Sequence, residues 1–219
     1  MHSTAERGRL VFGGGSAAVR PSLAIGVDID GVLGDQIAGV LPRIAADHGL
    51  RLTFDMIDDY RFALGPVAIA TEIEKAQSDP AYLETMPLFP GAREMLETLR
   101  HGDRVLIVTA RSPRCVESTR KWLASERLAH DTLIFTTEAG KSACGLDVLV
   151  DDHVDNLVEF LEETSGVAIL VRRPWNRRDE ALVPYVAASR LQVAVHLHDV
   201  PAIVAAVSLV DLCPRMLRH

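Results

Sequence analysis

No stretch of this 219-residue chain approaches the roughly 18 to 20 consecutive apolar residues of a membrane-spanning helix, so a membrane is not an expected partner. Positive charge is scarce too: 23 Lys and Arg stand against 30 Asp and Glu, a net charge of −7. That balance argues against a nucleic-acid polymer, which needs basic surface. A small phosphorylated molecule remains compatible, because a local cluster or a metal can offset the overall charge. The three cysteines, Cys115, Cys144 and Cys213, are odd in number and lack CxxC spacing. They exclude a disulfide framework and a thiolate zinc site, and read as reduced thiols in a cytoplasmic protein. Residues 1–21 lack the apolar core of a secretory signal and read as a flexible leader. Gly13, Gly14 and Gly15 have no strand before them and no Lys-Ser/Thr after them, so they do not form a phosphate loop. Internal repeats and low-complexity tracts are absent.

What the chain has is apolar residues, 48% of the total, arranged in short runs. Leu23–Ile29, Arg104–Thr109, Thr132–Thr136, Asp147–Val150 and Val167–Val171 read as strands covered on both faces. Helical patterns lie between them. Pro90 and Gly91 open one, with Ala92, Met95, Leu96 and Leu99 inward and Gly102 as its stop. Ser112 and Pro113 read as N-cap and first residue of the next, with Trp122 and Leu123 inward. A third starts near His153 and buries Leu157, Phe160 and Leu161. This alternation predicts an α/β fold: a Rossmann-like, three-layer parallel sheet with right-handed crossovers.

One interval breaks the rhythm. About 75 residues separate the first two strands, where a crossover needs far fewer. Ile37, Val40, Leu41 and Ile44 form a helical stripe despite Pro42, and Asp55–Phe62 and Val67–Gln77 read as further helix. Residues 35–88 therefore read as a small helical cap. Residues 22–34 and 89–219 form the core domain.

In such a sheet, ligands sit beyond the carboxyl ends of the strands. There the chain sets Asp28 and Asp30 after the first strand, Thr109, Ala110 and Arg111 after the second, and Asp151 and Asp152 after the fourth. Lys141 approaches the same edge. Carboxylates so crowded repel one another unless a cation joins them, and hard oxygen ligands favour Mg²⁺. A lysine and a strand-end hydroxyl supply what a phosphate needs. The pattern reads as a magnesium site that handles a phosphoryl group.

"DIDGVL", "VTAR", Lys141 and "VLVDD", in that order, resemble the four motifs of the haloacid-dehalogenase-like (HAD) phosphatases over about Leu23 to Arg173. "PLFPGAREMLETL", the ten-residue step from Lys141 to Asp151, and "RPWN" (Arg173 to Asn176) are similar to the 5'(3')-deoxyribonucleotidase branch and its bacterial nucleotidase relatives. The resemblance implies Asp28 as nucleophile, forming an aspartyl-phosphate, and Asp30 as acid and base. It implies Mg²⁺ on the Asp28 carboxylate, the Asp30 main-chain carbonyl and Asp152. Asp151 would lie behind these ligands, positioning Lys141 or a metal-bound water. Thr109, Ala110 and Lys141 would bind phosphate. The implied partner is a small phosphorylated substrate, a nucleotide, and a homodimer is left open.

The chain also departs from that pattern. Animal deoxyribonucleotidases carry a base-packing aromatic where this chain reads Asp35-Gln36-Ile37, so Gln36 offers a carboxamide instead. They carry serine where this chain has Ala110, which keeps only a main-chain donor. Gln36, Arg111 and Trp175 are candidate substrate contacts, and Asn176 and His153 lie near the site mouth. Arg111 has two readings: substrate contact or pairing with an acidic residue of the cap. Tyr60 and Phe62 read as the insert's own small core, and His196 and His198 as a structural pair on a strand. Two alternatives accompany the nucleotidase reading: a phosphatase for a sugar phosphate or another metabolite, and a phospho-ligand binder without turnover. The intact Asp28 and Asp30 pair argues against the binder.

Overall fold

A computed structural model describes residues 21–136, 140–177 and 180–207. The glycine-rich leader and Cys213 lie outside the described residues. Six parallel strands form one sheet: β1 (Ala24–Val27), β4 (Arg104–Thr109), β5 (Thr132–Phe135), β6 (Val148–Asp151), β7 (Val167–Val171) and β8 (Leu191–Ala194). Their order is β5-β4-β1-β6-β7-β8, with β1 between β4 and β6. The strands that end in acids and in Thr109 are thus neighbours at the centre of the sheet.

The apolar runs explain the layers. Successive side chains of a strand face opposite ways. Ile25, Val27, Val105 and Ile107 point to one face, where α4 (Ala92–Arg100), α5 (Val116–Ser125) and a helix over 200–207 cover them. Ala24, Leu106, Val108 and Leu149 point to the other, under α6 (Val154–Glu163). In α4, Ala92, Met95, Leu96 and Leu99 recur at helical spacing, and all four are buried. Both faces of the sheet are therefore dry. The three-layer α/β architecture expected from the sequence is the one observed.

Between β1 and α4 lie α1 (Gln36–His48), a two-stranded hairpin of β2 (Ala63–Leu64) and β3 (Val67–Ala68), α2 (Ile69–Gln77) and α3 (Pro80–Glu84). Ile37, Val40, Ile44, Ile57, Val67, Ile69 and Leu83 form a separate apolar cluster there, with Phe62 packed at its side. Pro42 sits inside α1.

Three expectations need correction. Asp55–Phe62 is not a helix; one 3-10 turn at Phe54–Met56 precedes the hairpin, whose tight turn uses Gly65 at φ +58° beside Pro66. The sheet has a sixth strand, β8, at its edge. His196 and His198 lie beyond it, around a turn at Leu197–Asp199, with their exposed rings stacked 5.1 Å apart. No helix among the described residues is long and apolar enough to cross a membrane.

Leu96 is wholly buried between α4 and the sheet. Leu96→Ala should lower the unfolding free energy by about 2–5 kcal/mol in urea denaturation. A loss below about 1 kcal/mol would mean that this face of α4 is not packed as described.

Candidate active site

The first strand delivers Asp28 to the sheet rim, where its main-chain N–H still donates to the Val150 carbonyl at 3.0 Å. The chain then curls back on itself: the N–H groups of Leu33 and Gly34 both donate to the Ile29 carbonyl, at 2.9 and 2.8 Å. Gly31 turns the corner at φ +82°. A Cβ at that position would meet Asp152 Oδ2 at 2.3 Å. Glycine is required there twice over, by the dihedral and by the carboxylate against it.

Asp28, Asp151 and Asp152 are buried, and each offers a carboxylate oxygen within 4.8 Å of the other two. Lys141, wholly buried, is the cation among them. Its Nζ lies 2.9 Å from Asp28 Oδ1 and 2.6 Å from Asp151 Oδ2. Asp151 is held further by Asn156 Nδ2 at 3.0 Å and the His153 N–H at 2.8 Å. Trp175 Nε1 donates to Asp152 Oδ2 at 2.7 Å. Among the described residues, no hydrogen bond is directed to Asp28 Oδ2 or Asp152 Oδ1.

The electrostatics follow from this inventory. Burial pushes the Asp28 carboxyl up to about 7; the Asp151 and Asp30 charges add to the rise, and Lys141 opposes it. Burial and the charges of Asp151 and Asp28 also raise Asp152 well above the carboxylate range. Burial alone would lower the Lys141 ammonium, but Asp151 and Asp28 outweigh it and hold it above its ordinary value. One ammonium does not neutralise three buried carboxylates. Two oxygens without partners, in an all-oxygen donor set short of positive charge, fit a hard divalent cation such as Mg²⁺.

Asp30 stands apart from this cluster. Its carboxylate is forked by Arg111, with Nε and Nη2 each 2.7 Å from an oxygen, and Gln77 Nε2 reaches it from α2 at 3.4 Å. Arg111 is buried, bonded to Thr119 Oγ1 at 3.0 Å and stacked over Trp122. This corrects the pairing reading of Arg111: its acid is Asp30 of the core and not a residue of the cap. Thr109 ends β4, buried, with its hydroxyl accepting from the Arg111 N–H at 3.2 Å. Ala110, next in the chain, is exposed at the rim.

The "RPWN" turn acts as a bracket. Arg173 Nε donates to the Gly31 carbonyl at 2.7 Å while its guanidinium lies 3.7 Å from the Phe89 ring centroid. Trp175 fixes the Asp152 carboxylate, and Asn176 Nδ2 donates to the Asp152 main-chain carbonyl at 2.8 Å. Tyr60 packs against the insert's own apolar cluster, as expected, and in addition donates its hydroxyl to the same carbonyl and sets its ring 4.1 Å from that of His153. Burial, then the Asp152 and Asp151 charges, raises the Tyr60 phenol above its ordinary value, so it stays a donor. Sequence reasoning missed this contact because nothing local marks a tyrosine 92 residues from its partner. Gln36, Trp175 and His153 line a cavity between the insert and the core.

A family model described as "5' nucleotidase, deoxy (Pyrimidine), cytosolic type C protein" matches residues 22–188. The chain belongs to this nucleotidase family. "Putative nucleotidase BH1399" of Halalkalibacterium halodurans is 25% identical over 165 residues, which are 73% of this chain and 84% of that one. "Putative 5'(3')-deoxyribonucleotidase" of Chlorobaculum tepidum is 27% identical over 152 residues, 64% and 74% of the two chains. Among solved structures, a haloacid-dehalogenase-like hydrolase from Xanthomonas campestris superposes with a TM-score of 0.56 at 16% identity, covering 87% of this chain and 97% of that one. A HAD family hydrolase from Deinococcus radiodurans, with bound phosphate and sodium, gives 0.56 at 18% identity over 85% and 96%. These structural matches speak to the fold. With the family match, they give a nucleotidase-family phosphatase on a HAD-like fold.

Two predictions follow from the geometry. Gly31→Ala puts a methyl into the Asp152 carboxylate at a dihedral that alanine resists. Phosphatase turnover should fall at least about 10²-fold with the circular dichroism spectrum unchanged, the scale of a misplaced catalytic group; near-normal turnover would refute the contact. The second concerns pH. With a folded value near 7 against an ordinary 3.8, Asp28 holds its proton more tightly in the folded protein than in the unfolded chain. Its contribution to stability is full below the ordinary value and is lost as pH rises toward the folded one. In chelator-treated protein the melting temperature should therefore fall across that window, and Asp28→Asn should flatten the fall. Equal slopes for the two proteins in melts from about pH 4 to about pH 8 would exonerate Asp28.

Proposed function

We propose that the protein is a Mg²⁺-dependent phosphomonoester hydrolase acting on nucleoside monophosphates, with Asp28 as the nucleophile. The observation that carries this reading is the buried Asp28, Asp151 and Asp152 cluster around a single Lys141. Asp28 and Asp152 carboxylates and the Asp30 main-chain carbonyl would hold the ion. When bound, Mg²⁺ supplies the positive charge that lets the crowded acids and a phosphate dianion coexist.

Asp28 attacks phosphorus in line, forming an aspartyl-phosphate as the bond to the alcohol oxygen breaks. Asp30 gives that oxygen a proton, then takes one from the water that attacks phosphorus and frees Asp28. Either role requires Asp30 to give up part of its fork to Arg111, so Arg111 governs how readily the proton moves. The Thr109 hydroxyl and the Ala110 N–H receive phosphate oxygens, and Lys141 offsets the charge that develops on them. Asp151 acts through Lys141 as its anchor.

Residues 35–88 act as a cap over a core of 22–34 and 89–219. The insert meets the core at the chemistry itself, through Tyr60 on Asp152 and Gln77 on Asp30. The free thiols Cys115 and Cys144 suit the reducing cytoplasm.

Release of inorganic phosphate from a panel of nucleoside monophosphates and sugar phosphates, with Mg²⁺ and after chelation, tests the reading. Nucleoside monophosphates should lead the panel, and chelation should abolish release. Asp28→Asn should lower turnover by about 10³-fold or more while leaving the fold intact. Substantial hydrolysis by that variant, or preference for sugar phosphates, would falsify the respective part.

A further inference from the structure

The cavity between the insert and the core measures about 270 Å³. Gln77 belongs both to its wall and to the Asp30 carboxylate, so it opens where the alcohol half of an ester would leave. Ile37, Ile57 and Ile69 give it an apolar wall. Its charged side chains are Asp59 and Glu74, both exposed at the rim. Among the described residues, neither has an ion-pair partner, and no lysine or arginine lines the cavity. Of the nearby cations, Arg111 is committed to Asp30, Lys141 to Asp28 and Asp151, Arg173 to the Gly31 carbonyl and the Phe89 ring, and Arg177 to Asp55, while the His153 imidazole lines the cavity and exposed Arg61 donates its main-chain N–H to Asp59.

We propose that this cavity restricts the substrate to phosphomonoesters whose alcohol carries no second anionic group. This rests on the phosphomonoesterase reading and narrows it. A second phosphate or carboxylate on the alcohol would enter an apolar space with two like charges at its mouth and no lysine or arginine among the described lining residues to meet it. An uncharged alcohol of nucleoside size meets apolar walls, and its amino or hydroxyl donors meet acceptors at Asp59 and Glu74. The selection is negative: the rim rejects the doubly charged ester more than it attracts the singly charged one.

One nucleoside, supplied as its 5'-monophosphate and as its 3',5'-bisphosphate at fixed free Mg²⁺, tests this. In the unaltered protein, kcat/KM for the bisphosphate should be lower by at least about tenfold, and the gap should narrow as ionic strength rises. The double variant Asp59→Lys with Glu74→Lys should reduce the ratio between the two esters toward one. A bisphosphate handled as well as the monophosphate, or a gap indifferent to both salt and charge reversal, overturns the proposal. Calorimetric binding of both esters to Asp28→Asn, with Mg²⁺ present, reads the same preference without turnover; equal affinities overturn it as well. Hydrolysis of neither ester, with the binding preference intact, would sink the hydrolase reading alone and leave the selectivity standing.

Discussion

Three buried carboxylates around one buried ammonium form the interaction on which the structure of the site depends. Removing charge from water costs several kcal/mol per ion after relaxation, so such a group persists only where nearly every oxygen has a partner. Asp151 meets that condition, with Lys141, Asn156 and the His153 N–H on its two oxygens. Asp28 and Asp152 do not, and burial raises both above the ordinary carboxylate range. The site is therefore built short of positive charge. That deficit is what a hard cation would offset on the proposed reading.

Placing such a group takes most of the fold. The acids come from the adjacent strands β1 and β6, so the register of a dry central sheet sets their spacing. The turn after β1 is fixed by main-chain bonds to Ile29, and from behind by Arg173 on the Gly31 carbonyl. Trp175 and Asn176, four and five residues past β7, fix Asp152. One short turn thus ties two strand ends together, over a sequence separation of 142 residues in the case of Arg173 and Gly31. Precision at the rim comes from such buried bonds, because rotamers held on both sides leave little room for misplacement.

The extent to which this was legible in the sequence follows the range of the interactions. Strands β1, β4, β6 and β7 could be read because each is a continuous apolar run, and α4 and α6 because their buried residues recur every three or four positions. The acids could be read because strand ends carry ligands in parallel sheets. β8 escaped because Leu191–Ala194 alternates weakly and lies at the edge, with Val193 partly exposed. The hairpin at Ala63–Ala68 escaped because two-residue strands have no period to detect. Arg111 on Asp30 and Tyr60 on Asp152 escaped for another reason. Both are pairings across 81 and 92 residues, and nothing near either residue names its partner.

Those two unread contacts bear most on function. Arg111 occupies both oxygens of Asp30, yet an acid that protonates a leaving oxygen must turn one of them toward it. The conflict is eased if something weakens the fork when substrate is present. Gln77 is placed to do so: it bonds Asp30 from the insert and lines the cavity that would take the alcohol. An alcohol seated there competes with Gln77 for the same carboxylate oxygen, Oδ2, that Arg111 Nε holds. Recognition of the leaving group and release of the acid then meet at one atom. On the proposed roles, an insert joined to the core at that atom would couple what is bound to when the proton moves.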